Sequence, residues 1–167
     1  MSFANRICQL LHDEHAATIA LMQRLEQLVA RHRKDDPPDA NDPAVAKLLV
    51  DLSIGITNEL GRHFDFEERW LFSYLTVAGD DAIGAHLMEE HVAIRPLARA
   101  IAKLVTDAQS NGFNGAHWNE LRRLAQEFCE RIEAHVDKEE NALLPALEEN
   151  MNAETEAQLY ADYAETV

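Results

Sequence analysis

The chain has 167 residues, 47% of them apolar, and a net charge of −15. That length suits one domain, and the apolar fraction suffices for a sizeable core. The acidity excludes the basic footprint of a nucleic-acid binder and argues against docking on an anionic membrane. No run approaches the roughly 18 apolar residues of a membrane span. The opening MSFANRICQLLHDEH lacks the apolar stretch of a signal peptide, so the expected compartment is the cytosol. Six Gly and five Pro among many Ala, Leu and Glu favour helices.

The first helix is expected over about Phe3 to Arg33, where Ile7, Leu11, His15, Thr18, Met22, Leu25 and Val29 recur at steps of three and four. The segment KDDPPDANDP breaks it, and Asp42-Pro43 caps and opens the second. That helix runs to about Val77, with Val45, Leu49, Leu52, Ile56, Glu59, His63, Glu67, Trp70 and Tyr74 on one face. A turn at Ala78-Gly79-Asp80 leads to the third, about Asp81 to Ser110, with Leu87, His91, Ile94, Ala98, Ile101 and Val105 inward. Asn111-Gly112 closes it. The fourth covers about Ala116 to Asn150, with Leu121, Ala125, Phe128, Ile132, His135, Glu139 and Ala142 inward. Asn152 caps a short last helix through Tyr163. Short connections make neighbours antiparallel, so the expected fold is all-α: an up-down-up-down four-helix bundle with a short C-terminal fifth helix. A weak two-fold repeat runs through it, His15 then His63-xxx-Glu67, and His91 then His135-xxx-Glu139.

Residues four apart share a helix face, with Cβ atoms about 5–6 Å apart. His63/Glu67 and His135/Glu139 are therefore two inward histidine–carboxylate pairs, and His15 and His91 point inward from the other two helices. At about 1.5 Å per residue from one common end, His15, His63, His91 and His135 lie roughly 18, 22, 15 and 20 Å along. Glu67 and Glu139 point toward that end, at roughly 16 and 14 Å. All six share one layer. A lone inward histidine is usually a hydrogen-bonded core residue. Four with two carboxylates are costly to bury without a cation, and a metal-free polar network is the alternative. Imidazole and carboxylate without thiolate suit iron, manganese or zinc. Zinc saturates at four ligands, so six converging ligands favour two irons.

The phrases LLHDEH, ELGRHFDFEERWLF, LMEEHVAIRPL and RIEAHVDKEENALLPAL carry a resemblance to the hemerythrin-like family of HHE cation-binding domains, covering about residues 5 to 150. It implies one domain over 1–167, with the core bundle at about 3–150. It further implies a non-haem centre of two iron ions, bridged by carboxylates and an oxo or hydroxo group, and chemistry with O₂ or NO. By the family pattern His15, His63, Glu67, His91, His135 and Glu139 are the ligands, and Glu67 and Glu139 bridge. Invertebrate oxygen carriers place two histidines four apart on the third helix and an aspartate five after the last histidine. Here Leu87 stands four before His91, and Glu139 four after His135, which argues against simple O₂ transport. The pattern is closer to bacterial proteins that repair damaged iron-sulfur centres. Their glutamates match Glu59 and Glu90; their N-terminal cysteine-bearing domain has no counterpart in these residues.

Three further side chains are candidates for extra ligation or for hydrogen bonds to ligands. His12 is three before His15 and about 60° round the helix, a candidate seventh ligand. Glu59 faces inward one turn before His63, either as a hydrogen-bonded carboxylate or on a path for iron or protons. Glu90 precedes His91 and is otherwise a solvated residue. His32, His86 and His117 read as surface groups. Pro96 should loosen the turn after His91. Phe66, Trp70 and Tyr74 read as core packing, or as lining of an access route. Cys8 and Cys129 lie at different heights in the bundle and should stay thiols. The ferritin-like ExxH pattern is absent, as are HExxH, GxGxxG, P-loop and GxSxG motifs. The leading functional reading is a di-iron protein handling O₂ or NO, in sensing, storage or iron donation. The others are a di-iron oxidase or peroxidase, and a metal-free interaction module. Neither the oligomeric state, a homo-oligomer included, nor a protein partner is legible.

Overall fold

Asn5 starts the first helix by accepting hydrogen bonds from the Ile7 and Cys8 amides, which no helical carbonyl reaches. The computed structural model describes residues 3–78 and 81–165, without the side chains of Asn58, Glu59, Ala78 and Asp81. Gly79 and Asp80 of the expected turn and the Glu59 carboxylate therefore lie outside the described residues, and Ala78 ends the helix before them. Helix α1 is Arg6–Arg31. It is shorter than expected because Asn5 caps it and His32 turns extended. Asp42 caps α2 through the Ala44 and Val45 amides, with Pro43 in the first turn. Helix α2 runs over 43–78, α3 is Asp81–Asn111, α4 runs over 115–150 and α5 is Ala153–Ala164. Gly112, at φ 71°, ends α3 in the left-handed region. Asn114 and Asn152 cap α4 and α5. Helix α3 runs unbroken through Pro96, so any loosening there stays local.

Each long helix packs on the next, α4 returns to α1, and α5 lies against α1. Cross-links at both ends make α1 and α4 antiparallel. Cys8 Sγ sits 3.8 Å from the Leu144 carbonyl, and Trp118 Nε1 donates to the Arg33 carbonyl at 2.9 Å. The described residues hold no strand, and the architecture is the expected bundle with a short C-terminal helix. No described helix is long and apolar enough to cross a membrane.

Helices α2 and α4 are not uniform. Each contains a π-turn that opens on the inward glutamate, Glu67–Leu71 and Glu139–Leu143, and α2 has another at Gly55–Glu59. The cause is a strict four-residue repeat. His63, Glu67, Leu71 and Leu75 are all buried, as are His135, Glu139, Leu143 and Leu147. In a regular α-helix each such step drifts about 40°, or about 120° over three steps. A one-residue bulge absorbs that drift and keeps all four on one face. The bulge also corrects two expectations. Trp70 is 39% exposed rather than inward, because Leu71 takes its place. Ala142 is half-buried, because Leu143 takes the inward position.

The core divides in two. One cluster runs from Met22, Leu25 and Leu49 to Phe128 and Ile132. The other gathers Ile7, Leu11, Leu71, Leu143 and Leu147 with Leu159 and Tyr163 of α5. Cys129 belongs to the first and Cys8 to the second, and both are free and buried. Burial pushes each thiol up to about 12, far above the pH of ordinary labelling, so the reactive thiolate is scarce. Both cysteines should resist a maleimide in native protein and react at once in denaturant. A native Cys8–Cys129 disulfide found by peptide mapping would contradict this topology.

Candidate metal centre

A polar layer separates the two apolar clusters. His15, His63, Glu67, His91, His135 and Glu139 are the buried polar side chains among the described residues, none more than 6% exposed. They come from α1, α2, α3 and α4 and form two groups. His15, His63, Glu67 and Glu139 offer ligand atoms within 4.8 Å of one another, and so do Glu67, His91, His135 and Glu139. Both glutamates belong to both groups. Nε2 of His15 and His63 stand 3.2 Å apart, and Nε2 of His91 and His135 3.0 Å apart.

The outer ring nitrogens explain why Nε2 points in. His15 Nδ1 bonds Glu140 at 2.6 Å, and His63 Nδ1 bonds Glu14 at 2.9 Å. His91 Nδ1 bonds Glu68 at 2.8 Å, and His135 Nδ1 bonds Glu90 at 2.9 Å. A carboxylate accepts, so each Nδ1 carries a proton, and the neutral ring presents its Nε2 lone pair to the interior. Every one of these carboxylates is itself held by a basic side chain. Arg62 donates to Glu14 (2.7 Å), Arg95 to Glu68 (2.9 Å) and Lys138 to Glu90 (2.7 Å), and His12 bonds Glu140 (2.7 Å).

The interior is built for cations. All four oxygens of Glu67 and Glu139 are buried without a hydrogen bond, although imidazole Nε2 atoms approach them at 2.9 to 3.4 Å. Burying each carboxylate costs several kcal/mol, roughly, when nothing neutralises it. Protons can do so in part. Burial opposes charge on His63, but Glu67 and Glu14 outweigh it and hold its pKa well above the ordinary value. Burial likewise opposes charge on His135, but the Glu139 carboxylate 2.9 Å away prevails and raises it to about 9. Two paired lone-pair sets facing orphaned anionic oxygens fit metal ions of the N/O-binding kind.

The two halves differ in access. A cavity of about 540 Å³ reaches from the exposed Arg6 and Asp13 on α1 to His15, His63, His135 and Glu139. His91 does not line it. The Phe64 ring stacks on His91 at 3.6 Å and 10°, and Phe72 lies 5.5 Å away. Both histidines of the His15/His63 pair thus face the cavity, whereas in the other pair His135 borders it and His91 is walled off.

The layer brings together all six expected ligands. His12 stays outside both groups, a quarter exposed and bonded to Glu140. Glu90 bonds His135 instead of entering the interior. His86 is exposed, and His32 and His117 are half-buried at the far end of the bundle. Phe66 packs on Tyr163 (4.4 Å), and the Tyr74 hydroxyl donates to the Asn150 carbonyl (2.7 Å); neither lines the cavity. Sequence reasoning missed Glu14, Glu68 and Glu140 as partners of the histidines. The signal was adjacency: Glu14 and Glu90 each precede a histidine, and Glu68 and Glu140 each follow an inward glutamate.

No curated protein matches the chain. The model of the hemerythrin HHE cation binding domain matches residues 6–147 and, separately, residues 85–165. The first match spans all six layer residues. The second begins at the repeated half, where His91 and the His135/Glu139 pair restate His15 and the His63/Glu67 pair. With most of the chain matched and a cation-shaped layer at its centre, the chain belongs to the family of hemerythrin HHE cation-binding domains.

Proposed function

We propose that this chain binds two iron ions and uses them to bind O₂ or NO, in sensing, storage or donation of iron to damaged iron centres. The observation that carries the reading is that Glu67 and Glu139 each belong to both four-ligand groups. Two shared carboxylates suit two ions held side by side. His15 and His63 would complete one ion's set, and His91 and His135 the other's. Four protein donors close a structural zinc site but leave positions open on iron. The open positions would supply the affinity for a diatomic ligand.

The protein's own part is to hold and to exclude. The four Nδ1–carboxylate bonds fix the imidazoles. The apolar clusters above and below close the layer along the bundle axis. The cavity beside His15 and His63 supports entry at that half, while Phe64 and Phe72 shield His91. Buried free thiols suit a reducing compartment such as the cytosol.

Ferrous-loaded protein, prepared under nitrogen, should change its optical spectrum on adding O₂ or NO and saturate near one gas molecule per chain. No response to either gas would overturn the gas-binding reading. Continued consumption of NO or peroxide beyond one equivalent would assign an enzyme instead.

A further inference from the structure

Glu14 is held differently from the other three histidine-bound carboxylates. Its Oε1 accepts from Arg62 at 2.7 Å. Its Oε2, which accepts from His63 Nδ1 at 2.9 Å, also accepts from the Tyr163 hydroxyl at 2.5 Å. Tyr163 is fully buried, and the Arg62 guanidinium lies 4.5 Å over its ring. It comes from α5, which lies outside the ring of four helices. That helix is also fastened at the cavity mouth. Arg6 donates to Glu156 at 3.0 and 3.1 Å and stands 4.6 Å over the Tyr160 ring. Tyr160 lines the cavity that reaches His15 and His63.

The internal repeat supplies the comparison. Glu90 occupies the place of Glu14 in the second half and bonds His135, with Lys138 and His86 as its basic neighbours. Among the described residues no phenol hydroxyl bonds Glu90. His63 and its counterpart His135 both border the cavity. Helix α5 packs on α1, which carries Glu14, and there Tyr163 adds a second bond to the carboxylate oxygen that holds His63. A hydroxyl bonded to a carboxylate makes one of the stronger hydrogen bonds, roughly twice a neutral one.

We infer that Tyr163 is a positioning residue for the cavity-facing metal position: it fixes the Glu14 carboxylate, Glu14 orients His63, and α5 thereby becomes part of the centre. The inference rests on the two-ion reading above. It also gives the C-terminal helix a task beyond covering the lower apolar cluster.

Three variants of the full chain test it, with ferrous iron as the probe and a ferrous chelator competing under nitrogen. Tyr163→Phe removes one oxygen and keeps the ring. It should fold with unchanged helical content, yet release one of its two ions about tenfold faster, the low end of what outer hydrogen bonds to metal ligands are worth. The other ion should leave at the wild-type rate. Glu14→Gln should accelerate the same ion, and adding Tyr163→Phe to it should change release little further. Leu159→Ala is the control for packing. Leu159 is buried on α5 in the same cluster as Tyr163, so its loss should lower the melting temperature without selective release. Wild-type release from Tyr163→Phe overturns the inference, as does equal acceleration by Leu159→Ala. Wild-type protein that never takes up a second ion overturns the reading of the centre itself, a separate failure.

Discussion

Glu139→Leu is expected to empty both metal positions while leaving the metal-free protein at least as stable as wild type. Glu139 is fully buried and contributes to both ligand groups. Its loss removes one donor and one negative charge from each ion, so iron content should fall from about two per chain to below one. The opposite sign for metal-free protein comes from desolvation. Burial and the charge of Glu139 both oppose ionisation of Glu67, although His63 and His91 outweigh them and hold its pKa below the ordinary value, so deleting one carboxylate relieves the other. His15 and His135 keep Glu140 and Glu90 on their outer nitrogens and can shed the proton that Glu139 favoured. Replacing a buried ionic network by apolar groups of similar size is often neutral or stabilising, by about 1–4 kcal/mol, whereas removing one partner is destabilising when it strands a charge; here the imidazoles that hold the Glu139 pKa down can discharge, so no charge is stranded. Calorimetry with and without iron checks both signs. Equal destabilisation in both forms would mean that Glu139 serves packing and hydrogen bonding, not metal.

Single histidine losses should act on one position at a time. His63 belongs only to the group that contains His15, and His135 only to the group that contains His91. Substituting either by Ala should cost at least one iron per chain. An ion present at about 1,000 times its dissociation constant stabilises by about 4 kcal/mol. For a chain of this size that is roughly 8–16 °C of melting temperature per ion. Loaded His63→Ala and His135→Ala should therefore each melt about that far below loaded wild type. The metal-free variants should differ from metal-free wild type by much less. Equal shifts in the two forms would show that the imidazoles only fill space.

The ligand layer was legible because it depends on one helix at a time. Steps of three and four set the face of His15 and His91, and counting rise per residue set their height. Trp70 was misplaced because the count assumed uniform helix. The run His63, Glu67, Leu71, Leu75 keeps strict period four, and only a π-turn reconciles that with a common face. That signal was present and unused. The carboxylates Glu14, Glu68 and Glu140 are a different matter. Each lies one step, about 100°, from a layer residue and bonds a histidine on a neighbouring helix. Its partner is set by how helices pair, which local periodicity does not carry. The same holds for Tyr163. Leu159 and Tyr163 stand four apart in the last helix, which marks a buried face. That Tyr163 would meet Glu14 depends on the path the chain takes after residue 150.

The central claim is a centre of two ions made from two shared glutamates and four histidines. Titration of metal-free protein with ferrous iron under nitrogen, read by bound iron after desalting, tests it most directly. The account predicts saturation at two irons per chain in wild type. Saturation at one iron, or none retained, would contradict it.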